Sequence, residues 1–255
     1  MKPNQFFKGW VVILGMAVIT MSCNKEETDV PPTETLTFDK QEVINNLPQG
    51  LMNSDDQYAQ QCVGDIESAL DMSTFMEDMV PPEYAEKTSK KSVAGDTWSW
   101  TVSDGSMSYT FYWSYDEDDA KRYWTMDIQF NDGERYPYIS AWESKDGKQG
   151  EVLYNFQWAL AYEGSTDYED LFWNYAWTLD DDGNYEFGWD YDSDSEEYEY
   201  FQNYSVVVNA DGSGSIDYYT MDTQFYHMEW DTQGNGSWTY YYGGDNTQSG
   251  SWSVM

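Results

Sequence analysis

From Asp96 to Val254 the chain alternates. Trp98, Trp100 and Val102 are interleaved with Thr97, Ser99 and Thr101, and Tyr109, Phe111, Trp113 and Tyr115 with Thr110, Tyr112 and Ser114. The same period of two carries Trp124, Met126, Ile128 and Phe130; Tyr154, Phe156, Trp158 and Leu160; Trp173, Tyr175, Trp177 and Leu179; Tyr185, Phe187, Trp189 and Tyr191; and Trp238, Tyr240 and Tyr242. Residues two apart share one face of a strand, so the pattern predicts half-buried antiparallel strands. Between the runs lie Asp-Gly pairs starting at Asp104, Asp132, Asp146, Asp182 and Asp211, then Asn235-Gly236 and Gly243-Gly244. These dipeptides supply the positive backbone angles of tight hairpins. No helical stretch intervenes to make a parallel crossover. The expected fold is mainly β: an N-terminal helical segment, then an antiparallel meander of about 11–12 strands, curled as an open half-barrel or a barrel.

Upstream the period is 3.6. Tyr58, Cys62, Val63, Ile66, Ala69 and Leu70 recur on one side of a helix, with Ser54, Asp55 and Asp56 suited to its N-terminal cap. A second short helix is expected from Ser73 or Thr74, where Thr74 and Glu77 form a capping box, to the stop at Pro81 and Pro82. Cys62 on the apolar face reads as a small buried hydrophobe. The amphipathic helices thus occupy residues 54–82, a polar linker 83–95, and the β domain 96–255. Residues 23–53, with VPPTETLTF and NNLPQG, read as a flexible tether in which Leu36 to Phe38 touch the sheet edge.

At the start of the chain Lys2 and Lys8 precede twelve mostly apolar residues, Gly9 to Thr20, and the small Ser22. This is the layout of an export signal, residues 1–22, too short to span a bilayer, which takes about 20 apolar residues. Thr20, Met21, Ser22 and Cys23 resemble the lipobox of a bacterial lipoprotein signal, in the looser form found in Bacteroidota. Thr20 and Met21 stand where such boxes usually carry Leu and a smaller residue. Lys25, Glu26 and Glu27 resemble the acidic tag that sends lipoproteins of that group to the cell surface. The resemblance implies that Cys23 is lipidated and that the protein is anchored to the outer membrane, facing the exterior or, alternatively, the periplasm. Several acyl chains on one cysteine hold a protein stably at a membrane. With Cys23 acylated, Cys62 has no disulfide partner.

Charge narrows the partners. The net charge is −35, and removal of residues 1–22 takes away two lysines and no acid, leaving −37. Such a surface repels nucleic acid and leaves neutral or cationic ligands. Histidine-based zinc sites and serine or cysteine triads have only His227 to draw on. Among 47 acids, nothing in the sequence selects a glycosidase-like pair. Asp190, Asp192 and Asp194 alternate, but Ser195 and Phe201 stand where an EF-hand starting at Asp190 needs Gly and Glu, so only a loose calcium site is left to them; Asp116 to Asp119 form a second acidic cluster. No other cofactor is expected.

Twelve of the 13 tryptophans lie in the β half, most of them core. Rings off the inward register, Tyr112, Tyr219, Tyr226, Trp230 and Tyr241, are the candidates for stacking on a sugar. An outer-membrane barrel is disfavoured, because its lipid face would be aliphatic between aromatic girdles. The order of a helix followed by a long meander is similar in outline to the open barrels of periplasmic lipoprotein carriers. The expected function is a non-enzymatic, lipid-anchored module for a glycan or other neutral ligand. A carrier of an apolar molecule in the half-barrel, a structural lipoprotein without a small ligand, and an acid-pair hydrolase are the alternatives.

Overall fold

The structure, a computed structural model, describes Pro31 and residues 33–73, 80–92, 95–105, 107–159, 171–195, 198–199, 202–221, 223–242 and 247–254, with side chains excepted at 73, 89–92, 95–96, 192–195 and 198–199. Three helices come first: α1 (Lys40–Asn46), α2 (Gln49–Met52) and α3 (Gln57–Ser73). The strands are β1 (Glu86–Ser92), β2 (Gly95–Asp104), β3 (Met107–Glu117), β4 (Lys121–Phe130), β5 (Arg135–Ser144), β6 (Gln149–Asn155), β7 (Leu171–Leu179), β8 (Tyr185–Ser195), β9 (Tyr198–Glu199), β10 (Gln202–Val208), β11 (Gly214–Thr220), β12 (Thr223–Trp230), β13 (Gly236–Tyr241) and β14 (Thr247–Trp252). Thirteen pair antiparallel in chain order, and β9 pairs only with β8. β1 and β14 end the series, so the sheet is open and not a closed barrel.

One face of this sheet is covered by the helices. Trp124, Met126, Ile128 and Phe130 are buried on it while Tyr123 and Thr125 are exposed on the other, as the alternation requires. α3 begins where the Asp56 carboxylate accepts the Tyr58 and Ala59 amides, at 2.8 and 3.4 Å. It lays Ala59, Cys62, Ile66, Ala69 and Leu70 onto the sheet, all buried. Complete burial of Ile66 and Leu70 stabilises the fold by about 1.5–3 kcal/mol for each side chain. The Cys62 thiol is pushed upward in pKa, first by burial and then by Asp65, and is an inert core group.

Several expectations are corrected. From residue 33 to 53 the chain is a packed strap, not a tether. The Asp39 side chain caps α1 by accepting the Gln41 and Glu42 amides, and Val43, Leu47 and Leu51 are buried. Phe38 sits on the face of the sheet rather than its edge, 5.2 Å from the Trp177 ring. Apolar residues this sparse show no period, yet they cover rings that would otherwise meet water. The polar stretch 83–95 is not a linker but contains β1, which pairs with β2 through its backbone. As an edge strand it needs no apolar alternation, and lysines in such a strand discourage further pairing. The β6 alternation stops at Asn155 and does not run on through Trp158. The short helix expected after Ser73 and the Gly243-Gly244 turn lie outside the described residues.

The strap crosses one end of the sheet, where β3 turns into β4, β5 into β6, β7 into β8, β10 into β11 and β12 into β13. An aspartate holds each turn by accepting backbone amides: Asp118 from Ala120 and Lys121, Asp146 from Lys148, Asp180 from Asp182 and Asn184, Asp211 from Ser213, and Asp231 from Gln233 and Asn235. All five carboxyls are held below their ordinary pKa, Asp118 and Asp180 chiefly by these amides, and Asp146, Asp211 and Asp231 first by the side chains of Ser144, Ser213 and Asn235 and then by the amides. In the last turn the left-handed residue is Gly234, φ 95°, rather than the expected Asn235-Gly236 pair. A Cβ there would overlap the Leu51 amide of the strap.

Three cross-strand pairs at this end share one design. Trp177 lies over Gly150, Trp230 over Gly214 and Trp252 over Gly236, so that a Cβ on any of these glycines would strike the indole. Each indole N–H donates to the carbonyl of a turn glycine: Trp177 to Gly147 at 3.2 Å, Trp230 to Gly212 at 2.8 Å and Trp252 to Gly234 at 2.7 Å. The strap is latched by Glu143, which is fully buried and accepts the Thr37 amide at 2.7 Å and Arg122 Nη1 at 3.0 Å.

Candidate functional site

The opposite end of the sheet is finished differently. Between β11 and β12 the register shifts: Tyr218 faces Tyr226 but Tyr219 faces Gln224, which leaves Phe225 as an extra residue. A bulge bends its strand and re-aims a side chain. Phe225, 41 % exposed, reaches the helix-covered side, with its ring 5.7 Å from Tyr218 and 6.4 Å from Tyr240, both edge-on. Tyr240 and Tyr242 stack at 6.2 Å, and Tyr242 is 52 % exposed. Met221, in the left-handed region at φ 51°, is exposed at the β11–β12 turn. Phe225, Tyr240 and Tyr242 thus form one connected group of rings, two of them exposed.

α3 supplies the polar side of this corner. Tyr58, Gln61 and Asp65 follow helical spacing and form a stripe beside the buried one. Tyr58 stacks on Trp238 at 4.2 Å, Gln61 Nε2 donates to the Tyr240 hydroxyl at 2.6 Å, and the Tyr226 hydroxyl donates to Asp65 Oδ2 at 3.1 Å. Burial pushes the Asp65 carboxyl up, against the opposing hydrogen bonds from Tyr226 and Gln61. Burial likewise raises the Tyr226 and Tyr240 phenols. The arrangement is a partly solvated aromatic wall with a carboxylate, an amide and phenol groups at its foot. It offers stacking faces and hydrogen-bonding groups.

Of the residues singled out for ligand stacking, Tyr226 and Trp230 are buried core, at 8 % and 4 % exposure. With the bulge at Phe225, the inward set of β12 is Tyr226, Met228 and Trp230, the reverse of the expected face, because a slip of one residue exchanges the two faces. Tyr219 and Tyr241 are half-buried on the outer face, where they do not join the corner. Tyr112, also outer, has the Arg135 guanidinium over its ring at 3.4 Å. His227 Nδ1 lies 2.8 Å from Asp217 Oδ1 on that same face.

Asp190 accepts a hydrogen bond from Asn203, and the side chains of Asp192 and Asp194 lie outside the described residues, as do Cys23, Lys25, Glu26 and Glu27. Among the described residues no group of three His, Cys, Asp or Glu side chains is placed to hold a metal. An outer-face trough of about 220 Å³ runs between Tyr123, Trp142, Glu151 and Leu153. Its main ring is already used: the Lys121 ammonium sits 3.2 Å from the Trp142 ring centroid, and Trp142 Nε1 donates to Glu151.

Phe225, Tyr242, Gln61 and Asp65 were not anticipated. Adjacent Phe225 and Tyr226, two rings in a row within an alternating strand, are the trace of the bulge that sequence reading passes over. Compared with known proteins, the chain matches no protein-family model, no curated protein and no solved structure.

Proposed function

We propose that the protein is an exported, lipid-anchored binding module of the bacterial surface, without catalytic activity, and that the corner formed by Phe225, Tyr240, Tyr242 and α3 takes a glycan. The observation that carries this reading is the bulge-directed cluster of exposed rings beside Gln61 and Asp65. Sugar rings stack on such faces through their C–H edges while carboxylates and amides receive their hydroxyls. The carrier alternative is weakened because α3 packs directly on the sheet's inner face, with Cys62, Ile66 and Leu70 at 0 % exposure. The acidic surface keeps nucleic acid away.

Anchoring rests on the lipobox-like residues ending in Cys23. Pro31 is buried, and the eight residue steps from Cys23 to it reach at most about 29 Å. The domain is thus held close to its membrane, with a far shorter tether than the sequence pattern implied. Metabolic labelling with a palmitate analogue is expected to mark the wild type and not Cys23→Ala; equal labelling of both would refute lipidation.

For binding, the detergent-solubilised full chain is screened on a glycan array. Retention of a glycan by the wild type and at least about a tenfold loss in the Phe225→Ser, Tyr242→Ser double variant is the expected result. Binding that ignores both substitutions places the site elsewhere and sinks the reading.

A further inference from the structure

Asp65 is unusual among the acids. It is partly buried between α3 and the sheet, and its neighbours are phenols, an amide and a thiol: Tyr226 on β12, Tyr204 on β10, Tyr240 on β13, and Gln61 and Cys62 on α3. Glu143, the fully buried carboxylate of the strap end, has the Arg122 guanidinium as its partner. Among the described residues no lysine, arginine or histidine pairs with Asp65. Its negative charge is instead held by the Tyr226 hydroxyl beneath a cluster of electron-rich rings, two of which, Phe225 and Tyr242, are open to solvent. Ring faces and a carboxylate both attract a cation, and more strongly where water is partly excluded. The net charge of −35 adds a field that concentrates cations at the surface.

We infer that the corner selects a sugar bearing a free, protonated amino group, with Asp65 as its charge partner and the Phe225, Tyr240 and Tyr242 rings as its walls. This rests on the glycan reading and specifies the ligand within it. A neutral or acetylated sugar would leave Asp65 without a counter-charge, whereas an ammonium meets both the carboxylate and the ring faces. The preference therefore comes from the amino group and not from the sugar ring.

The test compares glucosamine oligomers with their fully N-acetylated counterparts on the full-length protein, by calorimetry in mildly acidic, low-salt buffer. The amine form is expected to bind at least about tenfold more tightly, with the ratio falling towards one in Asp65→Asn. A readout that needs no substitution guards against a folding defect in that variant. In the wild type the preference is expected to shrink as salt is raised, and to fade as pH falls through the carboxylate range, because protonated Asp65 carries no charge. With its carboxyl shifted upward by burial, the fading begins at a higher pH than for an exposed aspartate. Equal or tighter binding of the acetylated oligomer overturns the amine selectivity and leaves the glycan site standing. Failure of both oligomers and of every glycan on the array overturns the two together.

Discussion

At one end of the sheet an aspartate opens each of five turns, tryptophans lie on cross-strand glycines, and the strap from Glu34 to Met52 closes over the top. At the other end the β11–β12 hairpin bulges, and Phe225 and Tyr242 stand half in water. Both ends are made from the same residue types: rings, acids and glycine. The difference lies in whether the polar partner of each group is the protein's own backbone. Where the indole N–H groups of Trp177, Trp230 and Trp252 meet turn carbonyls and the five turn carboxylates meet backbone amides, the end is finished as structure. At the open end the exposed rings stand beside a carboxylate that pairs with no cation among the described residues, the arrangement proposed above as a binding corner. Alternate turns of an antiparallel meander necessarily fall at the same end, so a chain that repeats one turn design every second hairpin finishes its two ends differently without a second domain.

The comparison is broken most severely by Trp230→Ala. It removes a buried indole, uncovers Gly214 and frees the Gly212 carbonyl, so it should destabilise the protein by about 3–5 kcal/mol in chemical denaturation. Any loss of glycan binding should follow the loss of fold; a stable Trp230→Ala protein that merely stops binding would show that the indole belongs to a site and not to the core.

A smaller effect is expected from Asp231→Ala. The Asn235 side chain, followed by the Gln233 and Asn235 amides, holds the folded carboxyl of Asp231 below its ordinary pKa. Its stabilisation is therefore present above the unfolded carboxylate range, near pH 4, and disappears as pH falls through the lowered folded value. Thermal melts should show wild type above the variant at neutral pH, with the gap closing in strong acid. A gap independent of pH would mean that the turn is held by its glycine alone.

The smallest stability change belongs to the open end. Phe225→Ser and Tyr242→Ser, each removing a half-buried ring, are expected to lower unfolding free energy by about 1 kcal/mol each while removing ligand binding. Losses comparable with that of Trp230→Ala would make the corner part of the core and erase the contrast between the ends.

Much of the fold was legible in the amino-acid order. A period of two interrupted by Asp-Gly specifies antiparallel strands and their neighbours, because side chains alternate across a pleat and these dipeptides favour tight reversal. The helix carrying Cys62, Ile66 and Leu70 declares itself by its period of 3.6 and its Asp56 cap. Other parts had no local signature. The strap is held by contacts between residues about a hundred positions apart, such as Thr37 with Glu143 and Glu34 with Trp124. β1 forms because β2 offers it a backbone edge, which polar residues use as readily as apolar ones. The assignment of Tyr226 and Trp230 to the core turned on a single extra residue at Phe225, since face and register are properties of a pair of strands and not of one. The sequence by itself determined most of the strands, their meander order and the helix carrying Cys62, products of local periodicity. Only the tertiary structure decided which rings are core and which are open, and set Asp65 at the foot of the open ones, because burial depends on what the rest of the chain brings alongside.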